Sequence, residues 1–157
     1  MNAVTVRVEA TAGSRFTPED SLGPSRVLTG WPVGEGYVEN SLTEDGEPAK
    51  ALVLLNEPAL PGTAVAARPV ALARLVVDGE PRETVVCVAE KAADFDAITG
   101  VRELRAWHAD EAALGEMLLR FGPGHSWQVT GYEGCPAVDE FLARARLGYE
   151  RLTGSLE

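Results

Sequence analysis

The stretch Glu44-Asp45-Gly46-Glu47-Pro48-Ala49-Lys50 runs directly into an apolar segment at residues 51–55. The apolar segment predicts a buried strand, and the acidic glycine turn before it predicts a tight loop. Two carboxylates that flank a glycine can converge on one point, as a hard cation or an activated water requires. The loop is therefore a candidate site, and the alternative is a solvated loop tip without a function.

Five strands are predicted in the chain. The alternation of Val4, Val6 and Val8 with polar residues predicts a half-buried strand over residues 3–10. Apolar segments between turn residues predict the others, at residues 51–55, 64–77, 83–89 and 126–132. Residues 12–40 are rich in Gly, Pro, Ser and acidic residues and show little periodicity, which predicts a long loop of the kind that often carries function.

Helices are predicted in the last third of the chain. Asp110 is a candidate N-cap, and apolar residues at helical spacing continue to Phe121, after which Gly122 ends the helix. A second helix is predicted from Pro136, with one apolar stripe formed by Val138, Phe141, Leu142, Ala145, Tyr149 and Leu152. Strands first and helices last predict an α+β fold in a single domain over residues 1–157, a small closed barrel with helices against it.

The composition excludes several classes of function. The chain has 157 residues, with 14 Lys and Arg against 24 Asp and Glu and a formal net charge of −10. No basic run is present that could bind a phosphate backbone. No apolar stretch approaches the roughly 20 residues needed to span a bilayer, and residues 1–9 lack the layout of a signal peptide. We expect a cytoplasmic protein that binds neither nucleic acid nor a membrane.

Short motifs in a fixed order carry a family resemblance. In chain order they are Val8-Glu9, Gly13-Ser14-Arg15, Arg26-Val27-Leu28, Trp31-Pro32, Gly36-Tyr37, Asp45-Gly46-Glu47-Pro48, Pro61-Gly62, Arg68-Pro69-Val70, Phe95-Asp96 and Gly131-Tyr132. With these motifs the chain resembles the soluble, magnesium-dependent inorganic pyrophosphatases over nearly its whole length. The resemblance implies a five-stranded closed barrel of the oligonucleotide-binding (OB) type, flanked by C-terminal helices, and a homo-oligomer, commonly a hexamer in bacteria. It also implies hydrolysis of pyrophosphate by several magnesium ions that an acidic cluster holds.

The sequence departs from this family at functional positions. In the resemblance, three aspartates of the central acidic motif correspond to Asp45, Glu47 and Lys50. Two metal-binding aspartates of the next acidic loop correspond to Val77 and Arg82, beside Asp78. Phosphate-binding positions correspond to Thr17, Glu35 and Phe121-Gly122, whereas Glu9, Glu19 and Arg26 keep the family's residue types.

These departures predict a changed chemistry. A carboxylate exchanged for Lys or Arg loses a ligand and adds repulsion, so we expect no resident metal or other cofactor. Lys50 and Arg82 would instead neutralise the neighbouring carboxylates and bind an anionic oxygen. Trp31, Val77 and Phe121 would make the cleft apolar, which favours an organic ligand.

The first functional hypothesis is therefore a metal-independent enzyme of specialised biosynthesis, such as a cyclase, isomerase or dehydratase. Its substrate would be a small, anionic and partly apolar organic molecule. The predicted catalytic residues are Asp45, Glu47, Lys50 and Arg82. The predicted substrate-binding residues are Glu9, Arg26, Trp31, Glu35, Tyr37, Val77, Asp78 and Phe121.

Two alternatives stay open. One is a residual inorganic pyrophosphatase that uses magnesium at the surviving carboxylates. The other is a catalytically silent binding or assembly module, in which Lys50 and Arg82 only form salt bridges with Asp45 and Glu47. Trp31 also has an alternative interpretation, as a core residue that anchors its loop to the barrel.

Overall fold

The computed structural model describes residues 3–14, 31–107 and 109–154, apart from the side chain of Asp94. Its strands are β1 (Val4–Gly13), β2 (Pro32–Val38), β3 (Lys50–Leu54), β4 (Thr63–Val77), β5 (Glu80–Ala89) and β6 (Trp127–Glu133). Its helices are α1 (Val101–Ala106), α2 (Glu111–Phe121) and α3 (Cys135–Gly154), with a 3₁₀ turn at Ala93–Phe95 before α1.

The first five strands close into a ring. Their order is β1-β2-β3-β5-β4, and an additional pairing of β4 with β1 joins the two ends. All of these pairs are antiparallel except β3 with β5. Strand β4 is long enough to pair with β1 through residues 63–67 and with β6 through residues 72–77. This architecture confirms the predicted α+β fold with a five-stranded, OB-like closed barrel.

Strand β2 lies inside the stretch that the sequence pattern predicts as a loop, so that prediction is wrong for Pro32–Val38. Its glycines hide the apolar alternation, because they stand where the neighbouring strand approaches closely. A Cβ at Gly36 would lie 1.8 Å from the carbonyl oxygen of Arg7. This glycine therefore permits the pairing of β1 with β2, which closes one side of the ring.

The strands divide the apolar side chains between two clusters by their alternation. On β3, Leu52 and Leu54 face the first cluster, which α1 and α2 cover. Ala51 and Val53 face the second cluster, which is covered by α3. Because the pattern has a period of two, Lys50 lies on the same side of β3 as Leu52, at the edge of the first cluster.

The helices begin and end largely as the sequence predicts. The side chain of Asp110 accepts a hydrogen bond from the Ala113 amide, and α2 ends at Phe121 before Gly122. Along α3, Val138, Phe141 and Ala145 are buried, but Leu152 is 51% exposed, so the predicted stripe is too long at its C-terminal end. Among the described residues no helix is both long enough and apolar enough to cross a membrane.

Candidate functional site

Three neighbouring strands bring together Glu9, Glu35, Tyr37 and Lys50. Tyr37 on β2 lies opposite Lys50 on β3, and its other neighbour is Arg7 on β1. The pairing of β1 with β2 passes from Val8↔Gly36 directly to Ala10↔Glu35, so Glu9 is the extra residue of a bulge. A bulge redirects side chains locally, and here it sets Glu9 beside the strand that carries Glu35.

The charges of this group act on one another. Burial raises the pKa of the Glu35 carboxyl above its usual value of 4.5, the ammonium group of Lys50 lowers it, and the carboxylate of Glu9 raises it. The half-buried Glu35 thus lies near two exposed charges of opposite sign, those of Glu9 and Lys50. The structure therefore brings together Glu9, Glu35 and Lys50, three of the predicted site residues.

The acidic turn that precedes β3 is closed by its own hydrogen bonds. The Thr43 amide donates to the Glu47 carbonyl at 2.8 Å, and the Gly46 amide donates to the Thr43 carbonyl at 3.0 Å. The Thr43 hydroxyl also donates to the Glu47 carbonyl at 3.0 Å. Asp45 and Glu47 are exposed on this turn. Their carboxylates are accessible to a ligand that approaches the N-terminal end of β3.

The hairpin between β4 and β5 carries Val77, Asp78 and Arg82. Asp78 and Gly79 form its two-residue loop with φ values of 50° and 84°, as a type I′ turn requires. Arg82 pairs with Glu80 at 2.7 Å and donates to the carbonyl of Pro81 at 2.9 Å. Val77 is half-buried against the first cluster.

Asp78 has partners that the sequence analysis did not predict. Its Oδ1 accepts the Ser126 amide at 2.8 Å, and its Oδ2 lies 2.6 Å from Nδ1 of His125. These two bonds, the Ser126 amide first, hold the pKa of the Asp78 carboxyl below its usual value. The expected neutralisation of Asp78 by Lys50 or Arg82 is therefore corrected: the Asp78 carboxylate bonds to Ser126 and His125, and Arg82 pairs with Glu80 on its own strand.

The aromatic residues expected to line the cleft are engaged in packing. The rings of Trp31 and Trp107 stack at 6.3 Å, and Trp31 meets the edge of Phe95 at 5.6 Å. Phe121, at the end of α2, is half-buried against the same first cluster. These contacts support the alternative in which Trp31 anchors its loop. A cleft of about 610 Å³ lies elsewhere, between residues 55–66 and 89–92, and no predicted site residue lines it.

The residues fit a resident metal ion poorly. Magnesium prefers several oxygen ligands that converge on one point. Within residues 3–14, 31–107 and 109–154, no three Asp, Glu, His or Cys side chains are grouped so as to hold a metal. Lys50 brings a positive charge to the pair Glu9 and Glu35, and Asp78 is occupied by His125. Arg26, the remaining predicted site residue, lies outside the described residues.

Solved structures with the same architecture are inorganic pyrophosphatases. The enzyme from Helicobacter pylori matches with a TM-score of 0.70 at 19% identity, over 95% of this chain and 94% of that one. The enzyme from Thermus thermophilus matches with a TM-score of 0.66 at 23% identity, over 94% and 91%. The fold is thus that of the inorganic pyrophosphatases.

Comparison of the amino-acid sequence with known proteins leads to the same family as comparison of the fold. Residues 26–113, more than half of the chain, match the family model described as inorganic pyrophosphatase. The chain belongs to the inorganic pyrophosphatase family. The inorganic pyrophosphatase of Synechocystis is 27% identical over 118 residues, 70% of each chain. That of Streptomyces coelicolor is 30% identical over 91 residues, 54% of this chain and 56% of the relative.

These similarities overturn the first functional hypothesis. The family model and the relatives carry the name of inorganic pyrophosphatase, at modest identity. The prediction of a metal-independent enzyme of specialised biosynthesis with a small organic substrate is therefore wrong. The alternative prediction, an inorganic pyrophosphatase, fits the findings better.

Proposed function

We propose that this protein hydrolyses inorganic pyrophosphate to two phosphate ions. One observation carries the proposal: the family match spans residues 26–113, which include the acidic turn, Lys50 and the hairpin between β4 and β5. Most of the candidate site therefore lies in the part of the chain that matches the family model. We also propose that the protein acts in the cytoplasm as a homo-oligomer, as its family membership suggests.

The substrate in this proposal is magnesium pyrophosphate, with the metal ion entering as part of the substrate. Phosphate oxygens are common ligands of magnesium, which keeps several waters and needs only one or two carboxylates from a protein. Asp45 and Glu47 are exposed on a hydrogen-bonded turn and supply such carboxylates. Because magnesium travels with the substrate, the proposal does not require a resident metal cluster.

Lys50 binds the anionic part of the substrate. Its ammonium group can donate three hydrogen bonds, and charged donors bind phosphate oxygens more strongly than neutral ones do. Lys50 lies on the strand that pairs with the strand of Glu35, and its charge lowers the pKa of this half-buried carboxyl. Burial raises the pKa of Glu35, so this carboxyl keeps its proton to a higher pH than an exposed glutamate does.

Phosphate release from pyrophosphate tests the proposal. Enzyme at micromolar concentration is incubated with pyrophosphate and magnesium, with manganese, or with a chelator. We expect release with magnesium and none with the chelator. No release with either metal would overturn the proposal.

The matched variants Lys50→Met and Lys91→Met separate binding from the general loss of charge. Lys50 and Lys91 are the two lysines of the chain, and both are exposed. We expect Lys50→Met to lower kcat/KM roughly 10- to 100-fold, the loss that corresponds to one charged hydrogen bond. Lys91→Met should retain the activity of the wild type. Equal activity of both variants would remove Lys50 from the site.

A further inference from the structure

Lys50 carries a positive charge that is available to a ligand. It is the first residue of β3 and lies exposed, opposite Tyr37 on β2. Within the part of the chain that the structure describes, the ion pairs use arginine or histidine as the cation, and none includes Lys50. The ammonium group is therefore free to bind an anion at the N-terminal end of β3.

The strand register sets this ammonium group next to a half-buried carboxyl. Glu35 and Tyr37 are two residues apart on β2, so their side chains share one face of the sheet, and Lys50 opposes Tyr37 on that face. Glu35 and Lys50 are thus diagonal neighbours, about 7 to 8 Å apart. The bulge of β1 brings a second carboxylate, that of Glu9, close enough to raise the pKa of Glu35.

A magnesium ion held by these carboxyl groups would have to share their surroundings with the ammonium group. Two cations at short range repel each other, and the repulsion is stronger near a half-buried group, where water screens it less. Lys50 thus opposes the attraction that Glu9 and Glu35 exert on a divalent cation.

The remaining carboxylates of the candidate site do not complete a cage for an ion. Both oxygens of Asp78 have partners, since Oδ1 accepts the Ser126 amide at 2.8 Å and Oδ2 lies 2.6 Å from Nδ1 of His125. Asp45 and Glu47 are exposed on the turn before β3. One or two carboxylates suit a magnesium ion that also binds phosphate oxygens and water, so this donor set favours an ion that arrives on the substrate.

We propose that Lys50 takes the part of a protein-bound magnesium ion, so that this pyrophosphatase needs only the metal ion that its substrate carries. The inference rests on the proposed function and specifies the form of the substrate, which is pyrophosphate with one magnesium ion. Negative charge on a transferring phosphoryl group is stabilised by lysine, arginine or magnesium. Because Lys50 belongs to the chain, its contribution does not depend on the concentration of free magnesium.

The dependence of the rate on free magnesium tests the inference. Phosphate release is measured at a fixed concentration of the magnesium pyrophosphate complex, with total pyrophosphate adjusted as free magnesium is varied. Free magnesium stays below the level at which a second ion binds to pyrophosphate itself. We expect the wild-type rate to change less than about twofold over about a tenfold range of free magnesium, whereas an unsaturated site for a required ion would make it rise.

Metal binding by the free protein is the second measurement, because an ion that is already saturated would not affect the rate. Manganese replaces magnesium here, and electron paramagnetic resonance measures the ions that stay free in solution. We expect the wild type to bind no manganese with a Kd below roughly 0.1 mM. A tighter site would overturn the inference.

Lys50→Asp and Lys91→Asp form a matched pair of variants. Both exchange an exposed lysine for an aspartate, but Lys91 lies outside the candidate site. We expect Lys50→Asp to bind manganese at least about tenfold more tightly than the wild type, because a carboxylate replaces the repelling cation. Its rate should also rise with free magnesium at a fixed concentration of the complex. Lys91→Asp should behave as the wild type in both measurements.

The outcomes separate this inference from the proposed function. A wild-type enzyme that releases phosphate, but only faster as free magnesium rises at a fixed concentration of the complex, would overturn the role of Lys50 and leave the proposed function standing. Equal manganese affinities of Lys50→Asp and Lys91→Asp would do the same, because the charge of Lys50 would then not be what excludes the ion. A wild-type protein that releases no phosphate with either metal would overturn both proposals.

Discussion

The carboxyl group of Glu35 and the ammonium group of Lys50 belong to neighbouring strands, and Lys50 opposes the rise in pKa that burial gives to Glu35. Glu9 adds to this rise. Lys50 thus occupies a position where the family resemblance expects a metal-binding aspartate. Its positive charge stabilises the ionised form of Glu35. This relationship gives the site a pH dependence that can be measured without a substrate.

We predict that the contribution of Glu35 to the free energy of unfolding falls as the pH rises through its titration. The folded protein binds the Glu35 proton more tightly than the unfolded chain, whose carboxyl titrates near 4.5. Stability is therefore lost from about that pH upward until the folded pKa is passed. Measured from about pH 4 to pH 7, the urea unfolding midpoint of the wild type minus that of Glu35→Gln should show this fall, since the other carboxyls titrate in both proteins.

Two further variants check the assignment. Lys50→Met removes the charge that lowers the pKa of Glu35, so the fall in stability should extend to higher pH. Glu57→Gln changes an exposed carboxyl and should keep the wild-type profile. Profiles of Glu35→Gln and Glu57→Gln that coincide with the wild type would show that Glu35 is not the responsible group.

We predict that Lys50→Asp raises the affinity of the free protein for magnesium. The change replaces a repelling ammonium with a third carboxylate near Glu35 and Glu9. We expect at least about a tenfold gain, or about 1.4 kcal/mol, measured by isothermal titration. Lys91→Asp makes the same change of charge on an exposed residue outside the site. An equal gain in both variants would assign the effect to the net charge of the protein.

The barrel could largely be predicted from the sequence because its strands alternate or are continuously apolar. Strand β2 could not, since Gly36 reflects a contact with Arg7, which is distant in sequence, rather than burial of a side chain. The glycines of residues 32–38 allow two backbones to approach closely. Hydrophobic periodicity carries no information about that distance.

Contacts in the candidate site can be predicted where the two residues are close in sequence. Glu80 and Arg82 are two residues apart on one strand and so share a face, which could have predicted their ion pair. Asp78 and His125 are 47 positions apart, and nothing in either turn signals the other. Only the pairing of β4 with β6 brings their loops together.

We predict that Asp110→Ala destabilises the protein by about 1 kcal/mol, through loss of the N-cap of α2. The Asp110 carboxylate accepts the Ala113 amide at 2.9 Å. Helix α2 covers the first apolar cluster, so fraying of its first turn loosens the packing of Ala113 and Leu114 against that cluster. Urea unfolding measures the loss. Asp110→Ser keeps a capping oxygen and should retain most of the stability, and equal losses in the two variants would contradict the capping role.

We predict that Gly36→Ala is among the most destabilising single changes in the barrel. The new Cβ would lie 1.8 Å from the Arg7 carbonyl oxygen, and backbone atoms of a paired strand cannot move away without breaking the ladder between β1 and β2. We expect a loss of roughly 3 kcal/mol or more in the free energy of unfolding, from urea titration. Gly131→Ala is the matched control, because Gly131 is also a strand glycine but a Cβ there meets nothing within 4 Å. If the two variants lose similar free energies of unfolding, the cost comes from replacing a strand glycine in general. The close approach of β1 to β2 would then not explain why residue 36 is a glycine.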